Sequence, residues 1–588
     1  MKSLSYLNKY LLKYKWRLLF GFLFIAVSNI FGAYMPLIVG DAVDEMILIQ
    51  QKADTRDQLW GIAWSVFGLY MLMSLGKGLF LFFTRQTVIV TSRYIEYDLK
   101  NEIYNQYQKL TYNFYKKNNT GDLMNRISED VSRVRMYLGP GIMYSVNLVA
   151  LFVIVVYQMI AINPEMTLYV LLPLPIMSFL IYRVSSRMNR ESEAVQRQQS
   201  WISTLVQETF SGVRVIKAYS REKETTEQFN TSSEAYKNKS MRLTLTNSLF
   251  MPTIMLLIGI STIITIYIGI LLTYEGSVTP GNIASFIFYV NMLTWPFASI
   301  GWVTSLVQRA AASQERINEF LNEQPEITNS NTTALNVEGK IEFKNVSFTY
   351  PYSGITAIRN VSFTVKPGSS LAILGKTGSG KSTIVNLLTR QFDPQSGEIE
   401  IDGQNLNSIN LEQFREQIGV VPQEVFLFSD TIGNNIRFGM GKEDVPQETI
   451  EKAAKAMHVH HNIIRFKEGY NTVLGERGIN LSGGQKQRIS MARAIIRNPK
   501  ILVLDDCLSA VDTETEEIIQ QNLKSIMHDK TSLIISHRIS SIRECDHIIV
   551  LENGSVIEEG THESLLKING YYTEMYEKQL LEEKSTTD

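Results

Sequence analysis

The sequence predicts a two-part fold, in which a membrane α-helical bundle of six transmembrane helices with long cytoplasmic extensions is fused to an α/β domain. Six apolar segments lie in the first half, and two of the connections between them are long and rich in Lys and Arg. In the second half, an apolar strand runs into a glycine-rich loop and then a helix. A chain of 588 residues is too long for one hydrophobic core, so at least two domains are expected.

The six apolar segments are long enough to be membrane spans, because a helix needs about 20 apolar residues to cross a bilayer. They are residues 17–40, 60–84, 141–162, 166–182, 249–273 and 281–305. Backbone amides in lipid must be satisfied internally, so these spans are expected to be helices rather than strands. The apolar run after the basic N-terminus is too long for a cleavable signal peptide and is expected to be the first span.

The charges between the spans are distributed unequally. The long connections 85–140 and 183–248 are basic, whereas the loop after the first span is acidic. By the positive-inside rule, both termini and both long connections face the cytoplasm. The long connections keep a helical pattern, so we expect the transmembrane helices to extend below the membrane, with tips near 116–122 and 211–218.

Lys77 lies inside the second expected span. Because an intramembrane charge usually faces a water-filled cavity or a carboxylate, Lys77 either has a specific role or only borders such a cavity. The spans are otherwise rich in Met and aromatic residues, such as Met71, Met255 and Tyr289. These side chains suit a small hydrophobic substrate, but they also fill the interior of any helical bundle.

The overall charge gives no support to nucleic-acid binding, since 57 basic and 58 acidic residues leave a net charge of -1. The two cysteines, Cys507 and Cys545, do not have the spacing of metal ligands. We expect both to be buried thiols on the cytosolic side.

The glycine-rich loop has the pattern of a P-loop, since it follows the apolar residues 371–374 and precedes a helical stretch. The loop consists of Gly375, Lys376, Thr377, Gly378, Ser379, Gly380, Lys381, Ser382 and Thr383. Its glycines let backbone amides curl around the phosphates of ATP, and the helix N-terminus adds partial positive charge. Lys381 is predicted to reach the β- and γ-phosphates, and the Ser382 hydroxyl to bind Mg²⁺.

A second apolar run, residues 501–504, ends in the carboxylate of Asp505. This is the Walker B arrangement, in which Asp505 acts on Mg²⁺ through its water shell. Asp506 follows, at the position of a general base for the attacking water.

Further segments, in a fixed order, resemble the motifs of ABC transporters. The family's signature is matched by Leu481, Ser482, Gly483, Gly484 and Gln485. Residues 421–423, 509–512, 536–538 and 475–478 are similar to its Q-loop, D-loop, switch-histidine segment and X-loop. This resemblance implies that Gln423 and His537 act at the catalytic site and that Gln423 also helps to hold Mg²⁺. It likewise makes Tyr350 the aromatic residue that stacks on adenine and Asp512 the D-loop aspartate.

The resemblance covers nearly the whole chain. The first half resembles an exporter-type transmembrane domain, with residues 114–123 and 208–218 similar to its two intracellular coupling segments. The second of these docks on the partner's nucleotide-binding domain in that family. We therefore expect a transmembrane domain at 1–320, a linker at 321–338, an ABC nucleotide-binding domain (an α/β P-loop ATPase) at 339–575, and a polar C-terminal tail at 576–588.

Asp506 departs from the family pattern, which has Glu after the Walker B Asp at fully active sites. Because Asp is one methylene shorter than Glu, its carboxylate reaches about an ångström less far toward the attacking water. A general base must lie within about 2.6–3.2 Å of its proton and contributes about 10²–10⁴-fold. Hydrolysis at this chain's own site is therefore expected to be weak, unless Asp506 acts through an extra water or a small backbone shift.

In ABC ATPases each ATP lies between the P-loop of one chain and the signature of the other, so a second ABC half is expected as a partner. An intact signature beside a weakened base resembles the degenerate-site subunit of bacterial heterodimeric exporters. The partner would then carry Glu after its Walker B Asp. The intact His537 is a counter-indication, because some degenerate halves lose that residue.

The sequence thus favours ATP-driven export of an amphipathic or hydrophobic substrate, drug-like or lipid-like. The transporter would be a heterodimer, multi-pass and in contact with lipid in a bacterial cytoplasmic membrane. One alternative is a homodimeric lipid flippase or peptide exporter. An alternative of another class is an ATP-gated channel or regulatory subunit. The six spans exclude a soluble ABC ATPase.

Overall fold

The structure, a computed structural model, describes residues 2–50, 56–329, 331, 333–441, 444–508 and 513–587. The chain forms two compact units. One comprises Met1–Gln108 and Gly121–Glu323, and the other comprises Lys109–Thr120 and Gln324–Asp588. The second unit therefore includes a short segment of the first half of the chain, Lys109–Thr120.

The first half of the chain is helical. Its helices are α1 (Asn8–Lys13), α2 (Lys15–Gln50), α3 (Arg56–Thr84), α4 (Val90–Lys109), α5 (Tyr112–Lys117), α6 (Thr120–Asn125), α7 (Val131–Met136), α8 (Ile142–Ile162), α9 (Pro164–Leu171), α10 (Pro173–Ser211), α11 (Val213–Ala218), α12 (Glu222–Ser248), α13 (Phe250–Tyr274) and α14 (Pro280–Asn322). Single π-helical turns at Arg85–Ile89, Arg126–Asp130 and Tyr137–Gly141 join α3 to α4, α6 to α7 and α7 to α8. These junctions make helices far longer than a bilayer requires.

Five helical segments in the described ranges are long and apolar enough to cross a membrane. They are Lys15–Ile49, Leu59–Lys109, Thr120–Ile162, Glu222–Tyr274 and Pro280–Asn322. The remaining expected span, 166–182, is divided between α9 and α10. Pro164 and Pro173 stand at the starts of these two helices, where a missing backbone N–H breaks no helical bond. Asn163 caps α9 by accepting the N–H of Met166 at 2.9 Å.

Helices α2 and α14 approach each other closely at two glycines. A Cβ atom on Gly281 would overlap the carbonyl oxygen of Gly40, and one on Gly40 would lie 2.6 Å from the carbonyl oxygen of Gly281. Asp44 fixes the start of α14, since its carboxylate accepts the N–H of Gly281 at 2.8 Å and the hydroxyl of Thr279 at 2.5 Å. The absence of side chains at Gly40 and Gly281 thus permits this contact.

The Met and aromatic residues of the spans include both buried and exposed side chains. Tyr289 is fully buried and its hydroxyl donates to the carbonyl oxygen of Ala33 at 2.8 Å, so it packs α14 against α2. Met71 and Met255 are 50% and 68% exposed. Tyr289 is therefore a core residue, whereas the two methionines lie on the surface of the unit.

Lys77 lies against α2. A Cβ atom on Gly32 would be 3.4 Å from both Cε and Nζ of Lys77, and the hydroxyl of Ser28 donates to the Lys77 carbonyl oxygen at 3.1 Å. Across the described ranges, the Lys77 ammonium has no hydrogen bond or ion pair. Gly32 therefore provides the space for this intramembrane side chain.

The described part of the second unit contains two sheets. Their strands are β1 (Ile341–Thr349), β2 (Thr356–Val365), β3 (Ser370–Gly375), β4 (Ser396–Ile401), β5 (Gln404–Asn405), β6 (Ile418–Val421), β7 (Ile501–Asp505), β8 (Thr531–Ile535), β9 (His547–Glu552) and β10 (Ser555–Gly560). An antiparallel sheet has the order β2-β1-β4-β5, and a second sheet has the order β10-β9-β3-β8-β7-β6. Strands β9, β3, β8, β7 and β6 are parallel, and only their neighbour β10 is antiparallel. The fully buried pattern of β7 and β8 is typical of a parallel sheet covered on both faces.

Helices pack around these sheets. They are α15 (Lys381–Leu388), α16 (Leu411–Glu416), α17 (Ile432–Arg437), α18 (Gln447–Ala456), α19 (His460–Ile463), α20 (Gly483–Ile495), α21 (Thr513–Met527), α22 (His562–Ile568) and α23 (Tyr571–Thr587). The last helix runs through most of the segment 576–588, which the composition led us to expect as a polar tail. Its residue Tyr572 is fully buried in the core that also contains Ile539 and Ile542.

Candidate ATP site

Three motifs lie at the carboxyl ends of three neighbouring strands. Strand β3 leads into the glycine-rich loop, β7 ends at Asp505, and β8 leads into residues 536–538. These strands are adjacent, in the order β3-β8-β7. Because parallel strands end at the same edge of a sheet, the order brings together residues that are far apart in the chain.

The glycines of the loop have conformations that other residues rarely adopt. Gly378 and Gly380 have φ values of 84° and 104°. A Cβ atom on Gly380 would also overlap the carbonyl oxygen of Ala357 and lie 2.8 Å from Cδ1 of Ile358. The loop can therefore pass this point only with glycine, and α15 begins at the next residue.

Lys381 is held inside the loop. Its buried ammonium donates to the carbonyl oxygens of Gly375 at 2.7 Å and Lys376 at 2.9 Å. Burial lowers the pKa of Lys381, and the carboxylates of Asp505 and Asp506 act in the opposite direction. The positive charge thus lies within the electrostatic reach of both acids.

Asp505 lies beside Ser382. Asp505 is buried at the end of β7. Burial raises the pKa of its carboxyl group, whereas the nearby Ser382 hydroxyl and the charge of Lys381 lower it. Two hard oxygen ligands are therefore adjacent at the start of α15, which is the ligand chemistry that Mg²⁺ prefers.

The donor set fits both ATP and Mg²⁺. The Ser379 hydroxyl oxygen is buried and has no hydrogen-bond partner among the residues that the structure describes, so the loop retains an unused polar group. No group of three or more His, Cys, Asp or Glu within the described ranges could hold a metal ion alone. Mg²⁺ would therefore be completed by phosphate oxygens and water, as this ion commonly is.

Asp506 and His537 lie close to these groups. The backbone N–H of Asp506 donates to the carbonyl oxygen of Ile535 at 2.9 Å, and Asp506 has a φ of 47°, which Asp tolerates better than most residues. Burial lowers the pKa of the half-buried His537, as does the charge of Lys381, whereas Asp506 and Asp505 raise it. The lowered pKa favours a neutral imidazole near pH 7.

Tyr350 belongs to an aromatic group beside the loop. Its hydroxyl is 2.9 Å from Oγ1 of Thr383, and its ring is 5.5 Å from the ring of Phe392. Phe392 is in turn 5.8 Å from the ring of Tyr112, in α5. Within the second unit, aromatic contacts therefore connect Tyr112, two residues before the first coupling segment, to Tyr350, whose hydroxyl bonds to Thr383 of the P-loop.

The signature residues lie at the start of α20. Ser482 caps this helix, and Gln485 accepts the N–H of Ser482 at 3.0 Å, which completes a capping box. Leu481 is buried, whereas Ser482 and Gly483 are exposed. In the part of the chain that the structure describes, no signature side chain bonds to the P-loop of the same chain.

Two expected residues are not placed at the site. Gln423 is exposed, and its side chain makes no hydrogen bond within the described ranges. Residues 509–512, with the D-loop aspartate Asp512, lie outside the described residues.

Sequence reasoning missed Gln579 in α23. Its amide nitrogen donates to the carbonyl oxygen of His537 at 2.7 Å, and its amide oxygen accepts the N–H of Ile539 at 2.8 Å. The available signal was the seven-residue spacing from Tyr572, which places both side chains on one face of a helix.

Comparisons with known proteins agree with the motifs. The family model for the ABC transporter transmembrane region matches residues 18–297, and the ABC transporter model matches residues 358–509. The probable multidrug resistance ABC transporter ATP-binding/permease protein YheI of Bacillus subtilis (strain 168) is 35% identical over 555 residues, which cover 94% of this chain and 93% of that protein. The multidrug resistance-like ATP-binding protein MdlA of Escherichia coli (strain K12) is 35% identical, with coverage of 93% and 91%.

Two further similar proteins have names that do not refer to multidrug resistance. An ATP-dependent lipid A-core flippase of Syntrophus aciditrophicus (strain SB) is 34% identical over 493 residues, 83% of this chain and 81% of that protein. A solved structure of a bacterial Atm1-family ABC exporter with ATP bound has a TM-score of 0.78 at 25% identity and covers 96% of this chain and 98% of that chain. The order of motifs, the two family matches and the relatives along most of the chain show that this protein belongs to the ABC transporter family, as an exporter whose transmembrane region is joined to an ATPase that couples ATP hydrolysis to transport.

Proposed function

We propose that this chain is half of a heterodimeric exporter that uses ATP to move an amphipathic or hydrophobic compound, drug-like or lipid-like, out of a bacterial cell. The observation that carries the proposal is that Lys381 and Ser382, which follow β3, lie near Asp505 at the end of β7, with only β8 between the two strands, in a chain with apolar spanning helices. The names of the relatives, which refer to multidrug resistance and to a lipid A-core flippase, support these two substrate classes.

The proposed roles follow from the positions of the side chains. Lys381 neutralises the β- and γ-phosphates, and Tyr350 stacks on adenine. Ser382 and Asp505 hold Mg²⁺, Asp505 through a water, and Gln423 would join them by moving toward the loop. Mg²⁺ supplies charge neutralisation at the phosphates when it is bound.

Asp506 and His537 are the proposed groups for hydrolysis at this chain's own site. Asp506 is one methylene shorter than the family's Glu, so it positions the attacking water poorly. His537 presents a polar ring toward the same region as Lys381. We therefore propose that this site binds ATP and turns it over slowly.

The partner is proposed from two exposed surfaces. Ser482 and Gly483 present the N-terminus of α20 to solvent, where a γ-phosphate of the partner's ATP would be stabilised. Phe210 and Tyr219, at the second coupling segment, are 72% and 74% exposed. Exposed apolar side chains that lie together in one patch mark interaction sites, and we propose that these two belong to the docking surface for the partner. A second half with Glu after its Walker B Asp completes the assembly.

We propose the domain limits 1–320, 321–338, 339–575 and 576–588, with the D-loop aspartate Asp512 at the dimer interface. Both termini and both basic connections face the cytoplasm, on the inner side of the cytoplasmic membrane. Lipid surrounds the spanning helices, and the substrate binds among them.

Transport in inverted membrane vesicles tests the proposal. We expect ATP-dependent accumulation of a fluorescent hydrophobic cation or of a labelled phospholipid, and its loss in Lys381→Ala vesicles that contain the same partner. Absence of uptake of both probes, with intact ATP binding, would contradict the export of such compounds.

The weak base at Asp506 favours one competing function, an ATP-gated channel or regulatory subunit. In that case ion conductance of the same vesicles would rise when ATP binds, without turnover. We expect no ATP-dependent conductance. A conductance that persists with a non-hydrolysable ATP analogue would favour the channel.

A further inference from the structure

The C-terminal helix α23 is firmly attached at its first turn. The carboxylate of Glu558 accepts the backbone N–H groups of Tyr571 at 2.5 Å and Tyr572 at 3.1 Å, which satisfies the positive end of the helix. The buried Tyr572 also bonds through its hydroxyl to Nδ1 of His562 at 2.7 Å. The start of α23 is thus fixed in the core of its unit.

The same turn contacts the P-loop. The ammonium of Lys376 lies 5.1 Å from the centre of the Tyr571 ring and 3.6 Å from the Glu552 carboxylate. A contact of this kind between a cation and an aromatic ring is worth about 0.5–1 kcal/mol at an exposed site. Helix α23 therefore has a defined position relative to the phosphate-binding loop.

Two turns farther along, about 12 Å from Tyr571, Gln579 reaches the switch-histidine segment. Its side chain donates to the carbonyl oxygen of His537 and accepts the N–H of Ile539. One planar amide therefore binds the backbone on both sides of residue 538. The two bonds restrain the peptide orientation from which the His537 imidazole projects.

The rest of this segment is held from a different helix. Arg538 forms an ion pair with the buried Glu516 of α21, and the hydroxyl of Ser541 donates to Glu516 at 3.0 Å. These bonds restrain the side chains of residues 538 and 541. The backbone of His537 itself is restrained from α23.

We propose that Gln579 is a positioning residue for ATP hydrolysis, which sets the orientation of His537 from the C-terminal helix. This inference rests on the role proposed for His537. Helix α23 also contacts Lys376 of the P-loop through Tyr571. A catalytic group that is displaced by about 1 Å can lose much of its effect, so two backbone bonds at this point matter for turnover.

A double-mutant cycle in the purified, assembled transporter tests the proposal. The partner carries Glu→Gln after its Walker B Asp, so that the ATP hydrolysis measured is that of this chain's own site. The variants are Gln579→Met, which removes both bonds at similar volume, His537→Ala, and the two together. Lys578→Ala, at the adjacent exposed position of α23, is the matched control. We expect Gln579→Met to lower the kcat of this site about five-fold, with KM for ATP equal to that of Lys578→Ala. A small loss of thermal stability accompanies it, because the Ile539 N–H and the His537 carbonyl lose their partner. In the His537→Ala background, Gln579→Met should have no further effect.

Gln579→Glu gives a second measure, because it keeps the acceptor for Ile539 and loses the donor to His537. Its kcat should lie between those of the parent and of Gln579→Met. The inference would be overturned if Gln579→Met lowered kcat by the same factor in the parent and in the His537→Ala variant. It would also be overturned if Gln579→Met lowered kcat, ATP affinity and thermal stability in parallel. If His537→Ala leaves kcat unchanged, the proposed role of His537 fails and the inference fails with it. A loss for His537→Ala but not for Gln579→Met would refute the inference alone.

Discussion

Asp506 is the residue on which the proposed slow ATP turnover at this chain's own site depends. Its backbone N–H donates to the carbonyl oxygen of Ile535, and its φ is 47°. The neighbouring Lys381, Ser382 and Asp505 have the contacts expected for binding phosphate and Mg²⁺. In the proposed function, this site is therefore better suited to holding ATP than to hydrolysing it.

Substitution of Asp506 distinguishes a heterodimeric assembly from a homodimeric one. With a partner that supplies the strong base, Asp506→Asn should leave a substantial fraction of ATP hydrolysis, and Asp506→Glu should raise it by less than the full general-base factor. In a homodimer, Asp506→Asn removes the base from both sites. ATPase rates of the purified native assembly distinguish them, and a collapse by about 10²–10⁴-fold would refute the degenerate site.

At the scale of elements, the starts of helices α14 and α20 differ in whether other parts of the chain cover them. The start of α14 packs against α2 through Gly281 and Gly40. Thr279 and Asn282 form its capping box, and Asp44 of α2 accepts the N–H of Gly281. The start of α20 carries the signature and is capped by its own Ser482 and Gln485. The first helix end is closed by contacts inside the chain. The second is exposed, which suits a ligand from outside the chain.

Gly281→Ala should destabilise the membrane unit. The new methyl group would overlap the Gly40 carbonyl oxygen, and overpacking of this kind costs about 1–3 kcal/mol. Gly78→Ala is the matched control, since a Cβ atom there meets no atom within 4 Å and Ala is the better helix former. Thermal unfolding of the detergent-purified protein should show a lower midpoint for Gly281→Ala only. Equal midpoints would mean that α2 and α14 do not pack in this way.

Gly483→Asp should abolish turnover at the partner's ATP without loss of ATP at this chain's own P-loop. A carboxylate at the start of α20 favours the helix itself, but it would repel a γ-phosphate by about 4 kcal/mol at 4 Å and an effective dielectric of 20. Gly483→Asn is the uncharged control. Azido-ATP labelling of each chain, together with ATPase rates, measures both effects. Reduced labelling of this chain would contradict a site shared between two chains.

At the scale of the whole molecule, both units present surfaces that a single chain leaves uncovered. The signature is exposed in the second unit, and Phe210 and Tyr219 are exposed at the end of α10 and after α11 in the first. Within the second unit, ring contacts connect Tyr112, just before the first coupling segment, through Phe392 to Tyr350 beside the P-loop. An exporter of this family needs a second half, identical or different, and we propose that it binds at the exposed surfaces.

Phe210→Ser should reduce transport while ATP binding remains intact. An aromatic anchor at an interface commonly contributes more than 1 kcal/mol, so its loss weakens docking of the second coupling segment on the partner. Trp201→Ser, a similar change nine residues earlier on α10, is the control. Vesicle uptake and chain-resolved ATP labelling test this prediction. Unchanged uptake in Phe210→Ser would exclude this residue from the docking surface.

The sequence by itself determined the features that depend on short continuous segments. The P-loop, the Walker B strand and the signature are each recognisable within about ten residues, and five of the six expected spans correspond to long apolar helices of the structure. Local prolines explain why the structure divides the fourth span between α9 and α10. Periodicity alone did not reveal that division, because both parts are apolar.

Only the tertiary structure decided which distant residues meet. Lys381, Asp505 and His537 converge because β3, β8 and β7 are neighbours, and strand order is not encoded in any one strand. Gln579 reaches the backbone of His537 because Glu558 and His562 fix the start of α23. Such contacts join segments that the chain separates by tens or hundreds of residues. Their free energy depends on packing between elements rather than on local residue pattern, and local pattern is all that a single sequence displays directly.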